Sequence, residues 1–307
     1  MFNQEIFNNN TCYISGLHRS GKSLLTAIIP SIENSGLINK EPLLNLLPNL
    51  YMNKEISLEA AKYLAIYTQS NINYSNYIGR KINIKRTDET SIYNHLNFKK
   101  YLKKINSKNK LKVRFNVKEK EISFYDIHNI LNSLKFWTQT NDNFKLINID
   151  RNPIDLAFSW YTNKLGSFTK SPINQLLLYE FKNELIPTYA YKWKSKYIKL
   201  SEIDRIIEIL HQQIITSEKN FLSYKKKKNI LRIRYENLLE YPLENLNLIN
   251  KFLNLKSKIN FSKYKNKVIK KKLLISEERK KKLRLIESLC SKTYFDKLIN
   301  LEKKYNK

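Results

Sequence analysis

Glycine and proline are scarce, 5 and 7 among 307 residues. That shortage excludes collagen-like, low-complexity and long flexible-linker architectures. Cysteine is scarcer still. Cys12 and Cys290 stand far apart, neither in a CxxC nor in a Cys/His cluster, so a disulfide framework or a cysteine-based metal site has no support. Acidic residues are few as well: 27 Asp+Glu face 56 Lys+Arg, a net charge of +29. No apolar run approaches the roughly 20 residues that cross a bilayer. The opening MFNQEIFNNN lacks the charged-then-apolar profile of a secretory leader. Nothing recurs at a fixed period, which sets aside solenoids and propellers. The expectation is a cytoplasmic protein with no membrane span.

What is present points to a globular enzyme-sized unit. The chain is 42% hydrophobic, enough for a real core, and 307 residues suit one α/β domain carrying an insertion. The positive excess is mostly lysine, spread along the whole chain and accompanied by abundant asparagine and isoleucine. That is the look of compositional drift rather than of a nucleic-acid footprint, and no readable nucleic-acid motif occurs. The lysine runs at 225–228 and 270–272 read as solvated faces.

The alternation of apolar runs predicts strands at 11–15, 111–117, 144–150 and 229–234, with an irregular strand at 78–84. Helices are expected at 24–32, 41–68, 91–105, 126–138, from Pro153, at 236–253 with Pro242 near a turn, and from 276 onward. Strands alternating with helices imply a P-loop-type parallel sheet flanked by helices, with a mainly helical insertion at about 41–110. The whole of 1–307 reads as one domain. The insertion is expected to shape the site of the second substrate.

Residues 16–23, Gly-Leu-His-Arg-Ser-Gly-Lys-Ser, satisfy G-x-x-x-x-G-K-[ST]. A strand precedes them and an apolar helix follows, which is the context this motif requires. Glycines let backbone N–H groups curl around a phosphate, and the helix start adds its positive end. His18, Arg19, Ser20, Gly21, Lys22 and Ser23 are therefore candidate phosphate ligands. A P-loop kinase or NTPase would set Lys22 on the β/γ-phosphates and Ser23 on Mg²⁺, with Asp150 as the second metal-side acid.

The same loop also resembles the 5′-phosphosulfate loop of sulfotransferases, written PKSGTT or PRSGTS, with His18 in place of Pro and Lys22-Ser23 where two hydroxyl residues are common. A second motif agrees. Arg151-Asn152-Pro153-Ile154-Asp155-Leu156-Ala157-Phe158-Ser159 follows an apolar strand and opens a helix. It resembles the sulfotransferase segment in which Arg and, eight residues on, Ser grip the 3′-phosphate of the nucleotide. ATP carries no 3′-phosphate, so an NTPase has no use for the pair. Residues 231–255 resemble the strand-helix pattern found near the C-terminus of that family. Asn53–Lys110 resembles it hardly at all.

The resemblance implies a transferase that moves a sulfuryl group from 3′-phosphoadenosine-5′-phosphosulfate (PAPS) to a hydroxyl or amine, with no metal. It assigns Arg19 and Lys22 to charge stabilisation on the leaving phosphate, and Arg151 and Ser159 to the 3′-phosphate. Glu41, 21 residues after Ser20, is similarly spaced to a catalytic Glu of Golgi-type and tyrosylprotein sulfotransferases. A Glu in an apolar cleft can serve as general base, and one before Pro42 can equally be a first-turn helix residue. His95, His128 and His211 fall on helical patterns, with packing or surface roles. Tyr235 and Glu236 read as strand-end packing and a helix start, and Lys118 or Lys120 as a family-like lysine. The acceptor is open among saccharide, tyrosine peptide, lipid and small molecule; nucleic acid is not expected. Two other readings stand beside this one: the P-loop kinase or NTPase, and a basic adaptor that kept the fold without activity.

Overall fold

The computed structural model describes residues 10–107, 122–141, 143–167, 177–266, 268–269 and 279–307. The strand expected at 111–117, with Lys118 and Lys120, lies outside them.

Strand β1 (Thr11–Ser15) has all five residues buried, as a central strand with both sheet faces covered requires, and Thr11, Tyr13 and Ile14 are of the β-branched and aromatic types that strands favour. It leads through the glycine-bounded loop into helix α1 (Lys22–Ile28), which begins two residues before the expected 24 and gives way to a 3₁₀ turn at Ile29–Ser31, where Pro30 sits. Strand β2 (Ile38–Asn39) follows, then α2 (Pro42–Met52), α3 (Leu58–Tyr77) and α4 (Phe98–Asn106). These helices make the described part of the expected insertion, residues 41–107, mainly helical, as anticipated. Residues 78–84 hold no strand: Gly79 turns the chain at φ +78° as α3 ends. The helix expected at 91–105 is split into a 3₁₀ turn (Ile92–Asn94) and α4.

Beyond it, β3 (Ser123–Asp126) corrects the expected helix at 126–138. Asp126 ends a strand, and helix resumes only at α5 (Leu134–Thr140) after a 3₁₀ turn. Strand β4 (Lys145–Asp150) is the buried run read from the sequence, and α6 (Pro153–Thr162) opens as predicted, with Asn152 Oδ1 accepting from Ile154 N at 3.0 Å and proline at the first turn. A hairpin, β5 (Leu178–Phe181) and β6 (Glu184–Pro187), was not anticipated. After α7 (Lys194–Tyr197) and the long α8 (Glu202–Ser223), β7 (Ile230–Arg234) leads to α9 (Tyr235–Glu240) and α10 (Pro242–Leu253), which Pro242 separates. Helices α11 (Arg279–Leu289) and α12 (Lys292–Asn306) close the chain.

The main sheet runs β2-β3-β1-β4-β7, every pair parallel. Alternate residues of β1 face opposite cores. Cys12 and Ile14 pack with α1, α9 and α10, while Tyr13 packs with α2, α3 and α5. A third cluster joins α6 and α8 to α11 and α12 through Trp160, Ile207 and Leu298. Each buried aliphatic side chain such as Ile207 or Leu298 contributes about 1.5–3 kcal/mol. Among the described residues no helix is long and apolar enough to cross a membrane.

Candidate active site

The connections leave β1 towards β3 on one side and towards β4 on the other, so a crevice opens at the carboxyl ends of these three strands. Registers Ile14↔Asp126 and Ser15↔Asn148 bring three segments to that crevice: the loop after β1, the turn after β3, and Arg151 after β4.

Two glycines shape the loop. A Cβ on Gly16 would lie 2.4 Å from the Ile149 carbonyl oxygen, and one on Gly21 would lie 2.2 Å from the Tyr235 ring, at φ +102°. Between them Arg19 holds a left-handed φ of +68°, a conformation most side chains avoid. Its surroundings fix it there. Arg151 Nη1 donates to the Arg19 carbonyl at 2.7 Å, and Arg19 Nε donates to Ser159 Oγ at 3.1 Å. The Arg-x₇-Ser pair of the second motif therefore closes on the first motif, through Arg19.

This cluster is short of negative charge. Among the described residues neither Arg19 nor Arg151 has an acidic partner, and Arg151 instead stacks over Tyr235 at 4.9 Å. Burial and the nearby Arg151 charge both lower the Arg19 pKa, which marks two guanidiniums held close without compensation. Ser20 Oγ is buried with no hydrogen-bond partner, and so is Arg151 Nε. Two guanidiniums gathered without a carboxylate between them are what an oxyanion requires. Ser23 lies exposed on the first turn of α1.

Lys22 points elsewhere. Its ammonium forms a buried ion pair with Asp126, the two side chains 6% and 7% exposed. Burial lowers the Lys22 pKa and Asp126 opposes that shift. Lys40 stands 3.8 Å from the other Asp126 oxygen and also binds Glu89. Asp150 is likewise taken: Arg232 Nε donates to it at 2.8 Å and Asn148 Nδ2 at 2.9 Å. The second motif's helix is pinned by a buried pair between Lys282 and Asp155 at 2.9 Å. Among the described residues no group of three or more His, Cys, Asp and Glu gathers as metal ligands do.

His18 turns to the other side of the loop. Its ring stacks on His128 with centroids 3.7 Å apart, and Trp160 Nε1 donates to its carbonyl at 2.8 Å. Burial, then His128 and Lys22, push the His18 pKa well below the usual value, so its ring is neutral at neutral pH. His128 is not helical. It lies just after β3, where its N–H donates to Asn45 Oδ1 at 2.7 Å. The two imidazoles border a cavity of about 230 Å³ walled by α2, α8 and the 188–193 turn. Glu41 caps α2 and borders a different cavity, with Lys40, Lys81, Asn83 and Asp88. The sequence did carry a signal for His128: the run Ile122-Ser-Phe-Tyr-Asp is strand-like and ends two residues before it. Tyr235 and Glu236 do pack, Glu236 accepting from Asn152 N at 3.0 Å and from Tyr305 Oη at 2.6 Å.

A family model described as "Sulfotransferase domain" matches residues 10–300. No curated protein matches significantly. Solved structures similar to this one include a Mycobacterium tuberculosis sulfotransferase at 12% identity and TM-score 0.41, with 91% of this chain and 77% of that chain covered. A mouse sulfotransferase complexed with PAP aligns at 14% identity and TM-score 0.40, covering 89% and 70%. The sulfotransferase domain of the curacin biosynthetic pathway aligns at 14% identity and TM-score 0.39, covering 79% and 73%. Both phosphate-type motifs and the strands that present them fall inside the family match, and the chain belongs to the sulfotransferase domain family.

Proposed function

We propose that this protein transfers a sulfuryl group from PAPS to a hydroxyl or amine of an acceptor seated in the cavity beside His18 and His128. The observation that carries the reading is the meeting of Arg19, Arg151 and Ser159, which sets two uncompensated guanidiniums and a hydroxyl around one point. The loop of residues 16–23, which carries the phosphate-loop motif between β1 and α1, would take the phosphosulfate end of such a nucleotide. PAPS, when bound, supplies the sulfuryl group and a phosphate leaving group. Arg19, Ser20 and the loop would hold that end, and Arg151 with Ser159 the 3′-phosphate; fixed positive groups stabilise charge as it develops on a leaving oxygen. Lys22 would act indirectly, by fixing Asp126 and the turn that carries His128.

For the base we favour the imidazole pair over Glu41, because the imidazoles border the loop-side cavity and Glu41 borders another. Stacked rings 3.7 Å apart disfavour double protonation, so a neutral imidazole stays ready to accept the acceptor's proton. The NTPase reading loses ground because Lys22 and Asp150 both have their charges engaged within the protein. Cys12 and Cys290 are free thiols, which suits the cytoplasm.

The test is selective binding. Arg151→Ala and Ser159→Ala should each weaken adenosine 3′,5′-bisphosphate (PAP) roughly 10- to 100-fold, the loss of a charge-assisted bond worth about 1.5–3 kcal/mol, with little effect on adenosine 5′-phosphate. Equal losses for both nucleotides in calorimetry would assign these side chains to the fold alone.

A further inference from the structure

Helix α3 reverses the arrangement usual in a surface helix, which turns its apolar stripe to the core and its polar face to water. Inward, Ala61, Ala65 and Ile72 join the cluster beneath the helix, and amides complete the contact. Gln69 Nε2 donates to Tyr13 Oη at 2.9 Å, Asn73 Oδ1 accepts from Tyr125 Oη at 2.7 Å, and Asn76 Nδ2 donates to Asn39 Oδ1 at 2.7 Å. Outward, Ala60, Tyr63, Leu64, Tyr67, Asn71 and Tyr74 are exposed, and their spacing sets them along one face. Tyr63, Leu64 and Tyr67 show 59%, 42% and 67% of their surfaces. In a chain that is 27% charged, this 20-residue helix carries only Glu59 and Lys62, which pair with each other at 3.2 Å. The stripe is aromatic and uncharged.

Its surroundings are positive. Residues 53–107 hold ten basic residues against four acidic ones, and of the four, Glu59 and Glu89 are ion-paired. Arg80, Lys81, Lys85 and Arg86 stand exposed in the segment after α3, with Ile84 exposed among them. Helix α4 adds the exposed Lys99, Lys100 and Lys103. Its end abuts the end of α3: Lys104 Nζ lies 5.6 Å from the centre of the Tyr77 ring, and a Cβ on Gly79 would lie 2.5 Å from the Lys104 carbonyl oxygen.

Area and charge narrow what covers the stripe. With about 200 Å² per tyrosine side chain, the exposed parts of Tyr63, Tyr67 (59% and 67%) and Tyr74 (37%) come to about 300 Å². Each partner in a standard protein interface contributes roughly 800 Å². A second copy would also bring another net charge of +29 against the first. A lipid surface needs no complementary groove, and tyrosine rings settle at headgroup level with the apolar body inward and the hydroxyl wet. Basic residues beside such rings add attraction when the surface is anionic.

We propose that α3 docks this protein on an anionic lipid surface, the tyrosine stripe at headgroup level and the neighbouring basic residues meeting the acidic headgroups. The contact is peripheral, and it is independent of the transfer reaction. Co-sedimentation of the full chain with vesicles tests it, using phosphatidylcholine alone and an equimolar mixture with phosphatidylglycerol. Binding to the mixed vesicles is expected, weakened by salt, with little binding to the neutral ones. Net charge alone draws this chain to an anionic surface, so the stripe is read from variants that leave the charge unchanged. Tyr63→Ser/Tyr67→Ser should lower partitioning at least about tenfold. Tyr63→Phe/Tyr67→Phe keeps the rings and should bind at least as well as wild type. Both pairs alter exposed side chains, and thermal unfolding like that of wild type shows them folded. The proposal is overturned if wild type ignores the mixed vesicles, if neutral vesicles bind equally, if the serine variant binds like wild type, or if the phenylalanine variant loses as much as the serine one. A dimer in sedimentation velocity that the serine variant abolishes, without vesicle binding, would overturn it in favour of a second copy.

Discussion

Replacing Lys22 by Met tests whether this lysine supports the fold or touches the nucleotide. Both members of the Lys22–Asp126 pair are almost fully buried, and removing one partner of a buried ion pair costs about 3–5 kcal/mol. Lys40, 3.8 Å from the second Asp126 oxygen, still compensates part of the stranded carboxylate, which sets the expectation for Lys22→Met near the lower end, about 3 kcal/mol. Asp126→Asn should cost less, because burial already lowers the Lys22 pKa and the stranded ammonium can shed its proton. The double variant, with neither charge, should return to within about 1 kcal/mol of wild type, giving a coupling of about 2–3 kcal/mol in a double-mutant cycle. Urea unfolding with a shared slope measures all four proteins. In parallel, the folded Lys22→Met protein should bind PAP within a few-fold of wild type. A stability loss below about 1 kcal/mol together with a PAP affinity loss of roughly 10- to 100-fold would place Lys22 on the phosphate and refute the reasoning.

Gly21→Ala should destabilise by more than about 2 kcal/mol, since it adds a strained left-handed φ to a Cβ driven into the Tyr235 ring; Gly21→Ala/Tyr235→Ala should recover only the steric part, as read by thermal unfolding. His18 makes stability depend on pH in a known direction. Its folded pKa lies below the unfolded one, so the unfolded state binds the extra proton and stability falls as pH drops below about 6.5, by up to about 1.4 kcal/mol per unit, until the folded ring titrates. Between about pH 6.5 and 5, above the carboxylate range where Glu208, its pKa held down at about 2, begins to contribute, His18→Leu should flatten that slope to the weaker contribution of the more exposed His211, whose pKa shifts the same way; an unchanged slope would show that His18 is not buried neutral. His128→Ala should lower kcat by about 10²–10⁴-fold with PAP binding preserved, while Glu41→Gln stays within a few-fold; the reverse pattern would return the base role to Glu41.

Much of the proposed nucleotide side is legible in the sequence. The G-x-x-x-x-G-K-S run and the Arg-x₇-Ser motif are local, each written along one strand-turn-helix, although the space that Gly16 and Gly21 leave is taken by Ile149 and Tyr235 from far along the chain. The acceptor side was less legible. Strand β3 is four residues long and polar at both ends, so periodicity merged it with the turn that follows, and His128 was read as helical. Lys22 shows the same limit: its motif position names a phosphate ligand, and its partner Asp126 lies 104 residues away.

By itself, then, the sequence determined the parallel α/β class, the glycine-bounded loop between β1 and α1, and the placing of Arg151 at a strand end with Ser159 on the helix that follows. These follow from steric and hydrogen-bonding rules that act within a few turns of chain. Tertiary structure alone decided that Arg19 joins Arg151 and Ser159, that Asp126 takes the Lys22 ammonium, and that His18 stacks on His128. It also gathered Asn129, Tyr189 and Gln213 around one cavity. The physical reason is that parallel strands align their carboxyl ends whatever the length of the crossover between them. Side chains remote in sequence become neighbours only once the sheet has ordered β3-β1-β4.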